Sequence, residues 1–134
     1  MDNLRLLHYS ADLNRLSHNI LAIPAAVSDS RTNLSLAEDP SNIGGRFVVV
    51  SEEQKFNFKS RRKFYANSVL LDDLLSAVEW FREYPGARIV LKIDIQGHEC
   101  FAVRGAREFL GKLRVSEIFM KWEEIRKAKN KNPR

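Results

Sequence analysis

The sequence predicts an α/β domain, a mostly parallel sheet with flanking helices, and three stretches of its second half carry that prediction. Leu71, Leu74, Leu75, Val78 and Phe81 fall at helical spacing and make one apolar stripe. RIVLKIDI, residues 88–95, has little alternation for a sheet with one wet face, so it reads as a parallel strand covered on both sides by helices. Ala102, Val103, Ala106, Phe109, Leu110 and Leu113 form a second stripe opposite Arg104, Arg107 and Glu108, and VSEIFMKW follows as a further strand. Helix, strand, helix, strand in that order is a βαβ crossover, the unit from which doubly wound sheets are built.

Along the chain, the loosely helical apolar spacing from Leu4 to Leu16 predicts a helix ending near His18-Asn19. ILAIPAAV has the length and β-branching of a buried strand, SDSRTN reads as a turn, and NLSLA as a short alternating strand. EDPSNIGG is a loop, its backbone fixed by Pro40 and freed at Gly44-Gly45; RFVVV and FNF read as strands. The helix near 72–84 has Asp72 where an N-cap stands, Asp73 adding charge suited to its positive end, and Pro85-Gly86 closing it. A second helix is expected near 98–111. Ile89, Leu91 and Ile93 should then be nearly fully buried between the two.

The 134 residues suffice for one domain, and 44% hydrophobic with 29% charged is a globular balance. No apolar run approaches the ~20 residues of a membrane span, and the N-terminus shows no signal-peptide pattern. Cys100 is the lone cysteine, which excludes a disulfide framework and a cysteine-built zinc site. The expectation is a soluble chain in a reducing compartment, cytoplasmic by default. The net charge of +5 is unevenly spread: residues 55–63 hold five bases and no acids, and 121–134 carry a local +4. The preferred reading of both is solvated surface rather than a nucleic-acid site.

In open α/β sheets, ligands sit beyond the carboxyl ends of the strands. Asp94 lies near that end of RIVLKID, and Gln96-Gly97-His98-Glu99 forms the turn into the next helix. Two readings of the cluster stand side by side. It faces a cofactor, or Asp94 caps the helix while His98 and Glu99 are its exposed first turn. A metal site on Asp94, His98 and Glu99 is disfavoured, since ligands so close in sequence seldom converge on one ion without distant partners.

These residues also carry a resemblance. LKIDIQGHECFAVRGA resembles the signature of the FkbM-type methyltransferases, roughly K-I-D-V-E-G-H-E, an apolar pair and K/R-G-A. Lys92, Ile93, Asp94, Gly97, His98, Glu99, Arg104, Gly105 and Ala106 fit it. PAAVSD (Pro24 to Asp29), NIGG (Asn42 to Gly45), LDDLL (Leu71 to Leu75) and EIFMKWE fit further stretches in the family's order. The similarity runs over roughly residues 11–124, so 1–124 reads as a partial FkbM-like domain and 125–134 as a basic C-terminal tail.

The resemblance implies a Rossmann-like class I methyltransferase fold, S-adenosylmethionine as donor, and O-methylation of a small molecule or glycan. By position it sets Val27, Ser28 and Asp29 beside the adenine and Asp94 near the sulfonium or the acceptor. His98 becomes a candidate base, since its unperturbed pKa of ~6.5 suits proton removal near neutrality; a solvent-facing helical histidine accounts for it equally well. Two departures matter. Gln96 stands where the family usually carries Glu, and no glycine precedes Gly44, so the family's first strand and glycine-rich turn have no counterpart here. The expectation is a partial fold that holds S-adenosylmethionine poorly on its own and leaves a strand edge exposed. The alternative is a degenerate methyltransferase-like module that binds a partner or nucleic acid through its basic stretches. Phe56, Phe58, Phe64 and Tyr65 flank the first stretch, but no aromatic residue interrupts 125–134.

Overall fold

The computed structural model describes residues 3–38, 45–49 and 64–121. The expectations for Asn42–Gly44, the FNF strand, the first basic stretch and the C-terminal tail lie outside those residues. The elements in chain order are α1 (Asn3–Leu13), a 3-10 turn (Ser17–Asn19), β1 (Ala26–Val27), β2 (Asn33–Glu38), β3 (Arg46–Val48) and β4 (Phe64–Val69). A second 3-10 turn (Leu71–Asp73) leads into α2 (Leu74–Ala77), α3 (Trp80–Glu83), β5 (Ile89–Ile93), α4 (Glu99–Arg104), α5 (Arg107–Lys112) and β6 (Val115–Met120).

The α/β class is as predicted, but the described strands form two sheets rather than one. The first is mixed, in the order β1-β4-β2-β3, with β1 parallel to β4 and both β2 pairings antiparallel. The second is the predicted crossover: β5 and β6 pair in parallel, joined through α4 and α5. Strand β4 escaped the sequence reading because its inward positions, Phe64, Ala66 and Ser68, include one large apolar side chain. Buried Ser68 has a backbone task instead: its Oγ accepts from Thr32 N–H at 2.9 Å and reaches the Ser30 carbonyl at 2.7 Å.

Two strand expectations need correction. ILAIPAAV is not a buried strand: only Ala26 and Val27 pair, while Leu21 is 69% exposed. Pro24 has no N–H to give a ladder, which holds the strand to the residues beyond it. The β5 strand is not doubly covered either. Ile93 is buried and Ile89 and Leu91 are half-buried, whereas Val90 is 53% exposed and Lys92 lies open beside Phe119. The helices pack on one face of this two-stranded sheet, and among the described residues nothing covers the other. Lys92 was the signal that the apolar run alternates.

The two long helices are each broken. Val78 takes an extended conformation between α2 and α3, and Gly105-Ala106 separates α4 from α5. Asp72 does not cap its own helix. Asp73 does that work, accepting from Leu70 N–H at 3.0 Å, and the Arg31 guanidinium that grips it holds its carboxyl below the ordinary value. Asp72 instead accepts from Phe109 N–H at 2.8 Å, capping the first turn of α5 from 37 residues away. The core gathers there: Leu71, Ala106, Phe109 and Leu113 are buried, with Leu74, Leu75, Phe81, Ile89 and Leu91 packed against them. Helix α1 stands apart, burying Ala11 and turning Leu6, Tyr9 and Leu13 outward.

Candidate functional site at the carboxyl end of β5

Strand β5 ends at Ile93, and the chain must reverse within five residues to enter α4. It does so through two successive left-handed residues, Gln96 (φ 53°) and Gly97 (φ 94°). Glycine takes that conformation freely; glutamine there has a Cβ crowding its own carbonyl, at a cost of about 1 kcal/mol. The turn is held by its own polar groups. The Gln96 amide donates to Asp94 Oδ1 at 3.1 Å, Ile95 N–H donates to Glu99 Oε1 at 3.1 Å, and His98 N–H reaches the Ile95 carbonyl at 3.3 Å.

This turn rules out the capping reading of the cluster. The Asp94 carboxylate takes the Gln96 amide and no N–H of α4, whose N-cap is His98, so Asp94 is not a helix cap. His98 and Glu99 are not an exposed first turn: they are 3% and 0% exposed. Among the described residues, no three His, Cys, Asp or Glu side chains converge as a metal site.

Asp94 and Lys92 are the charged members of a pocket of about 330 Å³ whose other walls are Val27, Leu71, Leu91, Ile93, Ile95 and Ala102. Val27 and Asp94, assigned to one site from far-apart segments, therefore share one cavity. Ser28 and Asp29 turn away from it toward α4. Ser28 Oγ and His98 Nε2 share a hydrogen bond of 3.0 Å, and Asp29 pairs with Arg104 at 2.8 Å. The His98 ring stacks on Phe101, centroids 4.3 Å apart, and Arg104 lies over the Phe101 ring at 4.4 Å. A serine and a histidine at this distance have a nucleophile–base spacing, but both are buried, at 2% and 3% exposure. The bond ties the end of β1 to the start of α4.

Sequence reading named two members of this arrangement without seeing how they pack. Glu99 stood in the polar turn, read as facing a cofactor or as an exposed first-turn acid, yet its side chain is fully buried, with Oε2 lacking a hydrogen-bond partner among the described residues. Gly105 is where α4 meets β1: a Cβ there would stand 2.1 Å from the Ser28 carbonyl oxygen. The signal for Gly105 was present, a glycine inside a helical pattern, which marks a close approach when it is not a cap.

Burial is the main influence on His98 and lowers its pKa; Asp29 and Glu99 pull the other way, and Arg104 adds to the lowering. A histidine with a depressed folded pKa is protonated more readily in the unfolded chain. Stability is therefore full above the ordinary value of about 6.5 and falls as pH drops through it toward the folded pKa. Urea midpoints should decline between pH ~7 and pH ~5 in the wild type and stay flatter in His98→Gln. The depressed Asp73 carboxyl acts lower, losing its contribution as pH falls below about 4. Equal slopes in the two proteins would mean that His98 is not buried in solution.

Among the described residues, no helix is long and apolar enough to cross a membrane. No protein-family model matches the chain, and neither a curated protein nor a solved structure matches it.

Proposed function

We propose that this chain is part of an S-adenosylmethionine-dependent methyltransferase of the FkbM type, acting on a hydroxyl of a small molecule or glycan. The observation that carries the reading is the shared pocket of Val27 and Asp94 at the carboxyl end of β5, where open α/β sheets take their ligands. Its chemistry suits the donor in part. The apolar walls fit a flat purine, and a pocket of this size lies at the small end of ligand sites. Asp94 is the negative group in the lining, and a carboxylate near a sulfonium favours its charge. When bound, the donor would supply an electrophilic methyl group.

The chain's own residues orient and hold. Gln96 fixes the Asp94 carboxylate by donating to one of its oxygens and leaves the other free for the donor or an acceptor hydroxyl. Of the two acid–base candidates, Asp94 is exposed to such an acceptor, whereas His98 reaches Ser28. His98 thus serves this reading by joining the β1 end to the α4 turn.

The test joins a glycine-rich strand–turn–helix–strand segment from an FkbM-family enzyme ahead of Ala11 and follows methyl transfer from S-adenosylmethionine. Asp94→Asn should lower turnover at least ~10-fold, because its charge acts on the cationic donor. Unchanged turnover in that chimera would remove Asp94 from the chemistry.

A further inference from the structure

We propose that Glu99 is a positioning residue whose buried carboxylate, by accepting from Ile95 N–H, holds the 94–97 turn so that Asp94 faces the pocket. This rests on Asp94 being the reactive carboxylate proposed above. Three observations lead to it. Glu99 is 0% exposed, a costly place for a carboxylate unless it has a task. Its Oε1 meets Ile95 N–H at 3.1 Å, and Ile95 is the residue between Asp94 and the left-handed pair Gln96-Gly97. The turn it spans is the least favourable backbone in the site, and the Asp94–Gln96 contact depends on Gln96 keeping its φ of 53°.

Glu99 could also act through its charge rather than its reach. As the first residue of α4 it favours the positive helix end, and it is one of the acids that raise the pKa of His98. Substitutions separate reach from charge. Glu99→Gln keeps an oxygen at the same length and loses the charge. Glu99→Asp keeps the charge and withdraws it by one methylene.

The experiment is amide hydrogen exchange by NMR on the full chain, with no ligand, comparing Ile95 with Leu36 in the central strand β2. General destabilisation speeds both amides alike, so the ratio isolates the clamp. Glu99→Asp and Glu99→Ala should raise the Ile95 rate at least ~10-fold over that of Leu36, the loss of about one hydrogen bond. Glu99→Gln should stay within ~3-fold of wild type on the same ratio. The Gln96 side-chain amide resonances should move toward free-glutamine positions in the Asp and Ala variants alone. Should the Ala variant fail to fold, the Asp and Gln pair decides. An unchanged ratio in Glu99→Asp, or a Gln variant as perturbed as the Asp one, overturns the proposal. Because no donor is present, this result stands apart from the chimera assay, whose failure would instead count against the methyltransferase reading.

Discussion

Gly105→Ala should destabilise the domain by about 3 kcal/mol or more, roughly a hundred-fold or greater loss in the ratio of folded to unfolded chain. The backbone angle is not the reason: φ is −82°, which alanine adopts without strain. The reason is space. An added Cβ would lie 2.1 Å from the Ser28 carbonyl oxygen, 3.1 Å from its carbon and 3.2 Å from the Asp29 Cα. All three are backbone atoms, so no rotamer change relieves the overlap. Either α4 must lift from the end of β1 or the Ser28–Asp29 segment must shift. Both movements stretch the Ser28–His98 hydrogen bond and the Asp29–Arg104 pair, so the damage spreads to the turn that carries Asp94. Overpacking in a well-packed core costs roughly 1–3 kcal/mol when side chains can adjust; a backbone-only clash belongs at or beyond that upper end. Urea unfolding measures it, and the midpoint should fall without a change in slope. A loss under ~1 kcal/mol would show that α4 does not sit on Ser28 in solution.

Phe109→Ala should cost about 4 kcal/mol, within the range for removing a buried aromatic ring. Phe109 is 2% exposed and belongs to the buried cluster with Leu71, Ala106 and Leu113. Its ring meets Phe81 edge to face, centroids 5.4 Å apart, a geometry that adds to the area term. The deletion therefore uncouples α3 from α5 and leaves the inner face of β5 poorly supported. Phe109→Leu keeps most of the volume and should lose about 1.5 kcal/mol or less. The backbone N–H of Phe109 still caps onto Asp72 in both variants, so the comparison isolates packing from capping. Guanidinium melts of the two variants provide the measurement. Near-equal losses for Leu and Ala would mean that this ring does not hold the core together.

The parts of the fold legible in the sequence are those with a local cause. Stripes at Leu71–Phe81 and Ala102–Leu113 mark helical faces, and the strands 89–93 and 115–120 between and after them follow from β-branched runs. The parallel pairing of β5 with β6 follows in turn, because a crossover of this length permits little else. The order of Asp94, its turn and the next helix was equally visible. What misled was also local. An apolar run such as ILAIPAAV looks like a buried strand whether or not a neighbour exists to pair with it, and only Ala26 and Val27 found one.

The sequence by itself determined the class of the domain, the crossover of its second half and the turn between β5 and α4, because periodicity and turn chemistry act over a few residues. The tertiary structure alone decided which side chains those elements bury and what they touch. It left one face of β5 open, gave Asp72 to a helix 37 residues on, and closed Ser28 onto His98 across 70 residues. It also enclosed Glu99 beneath the turn it steadies. Each of these depends on two distant surfaces coming together. A residue's burial and its partner are set by the segment that arrives opposite it, and no pattern within its own segment specifies that arrival.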